Sequence, residues 1–315
     1  MFDLKAWLIS PRDPLIFRNG KPFTAAPGSR AETLPMPFPG TLSGAVRTKA
    51  WTDVATGKIN TKCVNNSLNV ANPIYANFPF KVAGPIYVNI PYNVAGPILV
   101  ELDAEGKVIN WFFPAPADAV FFETSTKSKV QADLFDLKPM PAIENVFLDS
   151  GDMPICGFKD NHKEKAFRSP PAFWNWNSML DWLYKPVSRL NVELQTVGIR
   201  NLPVQYRTHV AMDNQRQSAM DGALFQTTGI EFDYAAPPEE DKKDTRRFGL
   251  VVLSDLDLHG GGLGFLGGEK RMVDWEPLEG ETPLGACPPD LRAEIEHSGF
   301  CRLILATPAY FGGSN

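Results

Sequence analysis

The chain has 315 residues, enough for two domains of ordinary size. Apolar residues make up 43% and charged residues 21%, which fits a globular protein with a core and excludes a disordered chain. With 31 basic against 36 acidic side chains, the net charge of −5 supplies no bulk attraction to nucleic acid. The 28 prolines and 25 glycines imply many turns and short elements. Cys63, Cys156, Cys287 and Cys301 are too widely spaced for a CxxC pair, so reduced thiols are expected and a disulfide scaffold or zinc knuckle is not. An early acid and Pro11 make the N-terminal segment unlike a signal peptide, and no run of 18 apolar residues occurs. The expectation is a soluble cytoplasmic protein without a membrane partner.

Charge is unevenly placed. Residues 1–50 hold seven basic side chains (Lys5, Arg12, Arg18, Lys21, Arg30, Arg47, Lys49) against three acids. Residues 274–298 hold seven acids against Arg292 alone. This layout suits one anion-facing surface and a second, different one.

Residues 2–9 read as a strand with Phe2, Leu4, Ala6 and Leu8 on one face. A proline-rich loop from Pro11 to Pro39 follows, longer than a mere connector needs to be. Thr41 is a natural N-cap for a helix running to about Ala55, with Leu42, Ala45, Val46 and Ala50 as its apolar stripe and Arg47 and Lys49 off it. Strand-like runs occupy about 80–123, with Asp103–Gly106 a hairpin turn. Within them Val82–Ile86 recurs as Val94–Ile98, a local duplication. Residues 124–170 show little periodicity, and Phe173–Leu183 reads as an aromatic-rich helix. Further strands are expected at 204–212, 223–233, 248–257 and 300–307, with Glu239–Arg247 a charged excursion between two of them. Strands with few intervening helices predict an α+β fold with antiparallel sheets.

The segment His259–Arg271 is rich in glycine, and Gly262, Gly264 and Gly267 satisfy G-x-G-x-x-G. A dinucleotide site also needs a helix opening inside the motif, which Pro277 and the strand-like Met272–Trp275 leave no room for. No Gly-Lys-Ser/Thr follows, so it is no P-loop either. What remains is a turn whose amides can approach an anionic backbone, beside Lys270 and Arg271, or else a close-packed turn. Asp255, Asp257 and His259 alternate and on an extended strand would share a face, a conceivable metal set. The histidines lack HExxH spacing, no nucleophile elbow is present, and no RNP1 aromatic signature occurs.

Several segments together resemble a known family. Ser10–Phe23 (SPRDPLIFRNGKPF) is similar to the opening motif of the third subunit of the Cmr complex, the type III-B CRISPR effector, a member of the RAMP superfamily. Pro37–Thr48 resembles the loop-to-helix segment that follows that motif. Arg207–Asp213 and Gly222–Gly229 resemble the start of the family's second domain. Leu263–Arg271 is similar to the RAMP glycine-rich loop, and Ala306–Phe311 to the strand after it.

The resemblance implies two ferredoxin-like (RRM-like) domains with long inserted loops: residues 1–123, an irregular or helical insertion over 124–200, and 201–315 carrying the glycine-rich loop. It implies a non-catalytic subunit that holds the repeat-derived 5′ handle of the guide RNA. Its implied protein partners are the large cyclase/polymerase-like subunit and the other RAMP subunits. By motif position the RNA-binding residues are Arg12, Arg18, Arg30, Arg47, Lys49, His209, Gly267, Gly268, Lys270 and Arg271, with no cofactor or metal. The acidic stretch 274–298 is the candidate protein-facing surface. Two other readings fit the residues: a metal-independent RAMP endoribonuclease using His209 or His259 as general acid/base, and a metal enzyme built on Asp255, Asp257 and His259.

Overall fold

The computed structural model describes residues 4–19, 30–53, 58–59, 92–125, 128–140, 156–157, 164–184, 186–235, 245–280, 282–283, 289–298 and 304–308. The first half supplies β1 (Lys5–Pro11), β2 (Arg30–Ala31), α1 (Pro39–Trp51), β3 (Val94–Leu102), β4 (Val108–Pro114), β5 (Ala119–Glu123) and β6 (Gln131–Asp136). Then come β7 (Phe173–Asn175), α2 (Trp176–Tyr184), β8 (Arg189–Glu193), β9 (Gly198–Ile199), β10 (Val204–Asp213) and β11 (Ser218–Ile230). The last are β12 (Asp233–Ala235), β13 (Thr245–Ser254), β14 (Gly262–Phe265), β15 (Met272–Pro277) and α3 (Pro289–Ser298). The expected α+β class with antiparallel sheets is what forms. No helix among the described residues is long and apolar enough to cross a membrane.

Two compact units divide the chain. The first takes residues 1–107, 202–282 and 307–315. Its main sheet runs β3-β13-β1-β15-β14, every neighbour antiparallel, with β12 added to β13. The N-terminal strand is central, bonded to two strands from the far end of the sequence. That position explains its burial. Trp7, Leu8 and Ile9 are all buried, so both faces are covered, where the sequence pattern predicts one apolar face. Leu250–Leu253 are buried in the same continuous way. Phe2 lies outside the described residues, as do the Val82–Ile86 copy of the duplication, Cys63, Cys287 and Cys301; Cys156 is a free thiol.

Helix α1 packs on β3 and β14, burying Leu42, Val46 and Ala50. It starts at Pro39, two residues before the expected cap: the amides of Thr41 and Leu42 both donate to the Phe38 carbonyl, at 2.9 and 3.2 Å. Proline suits the first helical position, where its missing N–H would have no partner anyway. A second sheet of this unit runs β10-β11-β2, with β10 antiparallel and β2 parallel to β11. The expected turn after β3 is present: the Gly106 amide donates to the Asp103 carbonyl at 3.1 Å, and the Lys107 amide to Asp103 Oδ1 at 2.7 Å.

The second unit takes residues 108–201 and 283–306. It holds two three-stranded arrangements, β4-β7-β9 and β5-β6-β8, all antiparallel. Residues 124–170 are thus not uniformly irregular. Strand β6 is buried from Ala132 to Asp136, and burial on both faces erases the alternation that would have marked it. Its acids are bonded to a distant part of the chain: Asp133 Oδ1 accepts the Asn191 amide at 2.8 Å, and Asp136 Oδ1 accepts the Ser188 hydroxyl at 2.7 Å. The predicted helix over Phe173–Leu183 is instead strand β7 followed by α2. Asn175 marks the break, its Oδ1 accepting the Ser178 amide at 2.9 Å in N-cap geometry. Trp182 stacks edge-on against Trp174 at 5.5 Å and donates its indole N–H to Asp118 at 2.9 Å. Each buried aromatic of this kind contributes about 1.5–3 kcal/mol by leaving water. The expected strand at 300–307 is not seen in the described residues 304–308.

Candidate nucleic-acid interface

The glycine-rich segment is a β-hairpin. Strand β14 pairs with β15, Gly264 opposite Val273 and Phe265 opposite Met272. A Cβ on Gly264 would stand 2.4 Å from the Trp275 indole nitrogen, so glycine here allows close strand packing. The turn closes through the Leu266 amide, which donates to the Arg271 carbonyl at 3.0 Å. Gly267 has φ +81°, and the non-glycine residues Glu269 and Lys270 are also left-handed, at +57° and +50°. A single 3-10 turn over Gly268–Lys270 and then strand β15 follow, rather than an α-helix.

The basic segment after β1 is fastened to this turn. The Arg12 amide donates to the Met272 carbonyl at 3.0 Å and the Gly268 amide to the Ile16 carbonyl at 2.8 Å. Leu15 exchanges backbone hydrogen bonds with Ile230 of β11. Phe17 donates its amide to Thr33 Oγ1 at 2.9 Å, and Thr33 donates its own to Thr228 Oγ1 at 2.8 Å. Arg18 bridges to Thr33, and Arg30 stands in register with Gln226. Segments 12–18 and 30–33, the end of β11 and the glycine turn therefore form one bonded cluster. It carries Arg12, Arg18, Arg30, Gly267, Gly268 and Lys270, and its four cationic side chains are solvent-exposed.

The other sequence-predicted residues sit differently. Lys49 is only 7% exposed, and its ammonium donates to the Leu263 carbonyl at 3.0 Å. It lies on the buried stripe of α1, three residues after Val46, rather than off it. Arg271 is 9% exposed and pairs with Glu269 Oε2 at 2.8 Å, so it braces the turn while Lys270 faces water. Arg47 lies over the Trp51 ring at 5.8 Å. His209, on β10, stacks on Phe225 at 5.2 Å and is hydrogen-bonded with Thr227 Oγ1 at 2.8 Å.

Asp255, Asp257 and His259 do not share a strand face, because β13 ends at Ser254 and His259 is left-handed at φ +54°. Asp255 accepts from Asn93, Asp257 accepts the His259 amide, and the His259 ring bonds the Ala50 carbonyl at 3.0 Å. No group of three His, Cys, Asp or Glu among the described residues could hold a metal ion.

Two features escape sequence reasoning. Asp274, read as part of an acidic stretch, accepts from Arg12 Nε and Nη2 at 2.5 and 3.0 Å. These contacts hold the guanidinium above its usual pKa. The hairpin of β10 and β11 also leaves Tyr206, Val210, Met212 and Leu224 exposed. Alternation along β10 carried that signal, since Tyr206, Val210 and Met212 recur at even spacing.

Among known proteins, the family described as CRISPR-associated protein (Cas_Cmr3) matches residues 7–315. No curated protein matches the sequence. Two similar solved structures are of type III-B Cmr-beta, one bound to cognate target RNA and AMPPnP, the other to cognate target RNA. The first is 13% identical with a TM-score of 0.36 and covers 88% of this chain. The second is 14% identical with a TM-score of 0.37 and covers 90% of it. This chain spans 64% and 66% of those two chains' own lengths.

Proposed function

The chain belongs to the Cas_Cmr3 family of CRISPR-associated proteins, and from that membership we propose that it is a non-catalytic RNA-binding subunit of a type III-B effector. In this reading it holds the repeat-derived 5′ handle of the guide RNA and docks to the large cyclase/polymerase-like subunit beside other RAMP subunits. Its two ferredoxin-like domains are the scaffold. The observation that carries the reading is the hydrogen bond from Gly268 to Ile16, which fastens the basic segment to the glycine turn. That junction gathers Arg12, Arg18, Arg30 and Lys270 on connected backbone, all exposed. Arginine forks match phosphate oxygens in two-point fashion, and each phosphate neutralised releases counterions, so such a surface binds backbone without reading sequence.

His209 is hydrogen-bonded with Thr227 and His259 with the Ala50 carbonyl, and the binding reading gives neither ring a proton to move. The test is to purify the chain with the large subunit and measure affinity for RNA carrying the handle across a salt series. Tight, salt-sensitive binding without cleavage, with or without EDTA, is expected. Cleavage of repeat RNA lost in His209→Ala or His259→Ala would overturn the reading.

A further inference from the structure

Arg12 and Asp274 meet because β1 and β15 are neighbours: Ser10 is opposite Asp274, Pro11 opposite Val273. The Arg12 amide is itself bonded to the Met272 carbonyl, so the base of the side chain is fixed. The guanidinium then lies side-on to the carboxylate, Nε to Oδ2 at 2.5 Å and Nη2 to Oδ1 at 3.0 Å. A guanidinium has five N–H donors in one plane. Two are spent here, and three remain: one N–H each on Nη1 and Nη2 makes up the end-on edge, and the second N–H of Nη1 points to the Cδ side. Arg12 is 56% exposed and Asp274 25%, so the guanidinium is the more open partner of the pair.

Exposed ion pairs add little to stability, because water screens the charge and two long side chains lose freedom. A side-on fork does something else: it settles the rotamers of a long cation before any ligand arrives, and that loss of freedom need not be met again on binding. The negative charge of Asp274 would by itself repel a phosphate. Its presence helps an anion site through geometry alone.

We propose that Asp274 is a positioning residue, holding Arg12 so that its free Nη1/Nη2 edge engages a phosphodiester of the bound RNA. The inference rests on the RNA-binding reading above and adds to it the residue that orients the arginine. Charge and geometry make opposite predictions for Asp274, which makes the test decisive.

The full chain, co-purified with the large subunit, is titrated with fluorescent single-stranded RNA carrying the handle sequence. Arg12→Ala is expected to weaken binding about tenfold, the scale of a lost charge-assisted fork. Asp274→Ala is expected to weaken it several-fold although the protein becomes more positive, and to have no further effect in the Arg12→Ala background. Asp274→Glu should recover most of the affinity. Should the alanine variant fail to fold, Asp274→Asn, which keeps one acceptor, should give an intermediate loss. Unchanged or tighter binding by folded Asp274→Ala or Asp274→Asn, with Arg12→Ala still weakened, would overturn the positioning role and leave the RNA face intact. Wild-type binding by both Arg12→Ala and Lys270→Ala would remove the RNA face itself, and the proposal with it.

Discussion

Gly267 sits so close to Ile16 that a Cβ on it would stand 2.5 Å from the Ile16 carbonyl oxygen, and its φ is +81°. Both the contact and the dihedral demand glycine. Gly267→Ala should therefore cost about 1–3 kcal/mol, read from chemical denaturation. At Gly268 the nearest atoms to an added Cβ, all of Ile16, are 3.5–3.7 Å away, an ordinary contact. Gly268→Ala should stay within about 0.5 kcal/mol of wild type. Equal effects at the two positions would mean that the turn is not pinned by Ile16.

Lys49 makes a second joint between α1 and the glycine hairpin, through its bond to the Leu263 carbonyl. Lys49→Met keeps the aliphatic stem but leaves that carbonyl without its donor. A loss of about 1–2 kcal/mol is expected, with RNA affinity per folded molecule unchanged. Weaker RNA binding at full stability would instead make Lys49 a ligand contact.

The buried carboxylate of Asp136 gives the second unit an acid sensitivity. Desolvation pushes its pKa up, but the Ser188 hydroxyl and the Lys138 ammonium, 3.0 Å away, outweigh it, so the net pKa is lowered. A group depressed in the folded state stabilises above its unfolded pKa of about 3.9, and that contribution is lost as pH falls through the folded value. Ser188→Ala should destabilise at neutral pH by about 1 kcal/mol. The gap to wild type should shrink on acidification below the carboxylate range. A gap constant from neutral pH into acid would show that the hydroxyl does not act through the Asp136 charge.

What the sequence makes legible is local. The α1 stripe, the Asp103–Gly106 turn and strand β15 follow from periodicity and turn chemistry within a few residues. Several of the misread residues have partners far along the chain. Arg12 and Asp274 are 262 positions apart, and Lys49 and Leu263 are 214 apart. No local pattern tells a solvent-facing lysine from one reaching a distant carbonyl. Strand β6 hid for a related reason: neighbours bury both its faces, and its two aspartates imitate a polar loop while being bonded inside. The basic residues of the first fifty positions were visible as a charge excess. Their division into exposed cations and internal braces depends on β1 lying between β13 and β15, which composition cannot express.

Lys270 offers a test in which stability and binding move in opposite directions. It is exposed and left-handed at φ +50°, next to Glu269, which is left-handed too. A side chain in that region costs roughly 1–2 kcal/mol, which glycine would avoid. Because glycine also loosens the unfolded chain, the net gain from Lys270→Gly should be about 0.5–1 kcal/mol, seen as a higher midpoint in denaturant. If the charge serves RNA, the same variant should bind the handle more weakly, and its log–log salt slope should fall by about 0.7, the share of one single-strand phosphate. Lys270→Ala separates the two effects, keeping the strain while losing the charge, so it should match the glycine variant in binding and wild type in stability. Lys270→Arg should match wild type in both. A more stable Lys270→Gly with unchanged affinity and slope would mean that the strained turn serves only the packing of Ile16 and Phe17, and that Lys270 has no part in holding RNA.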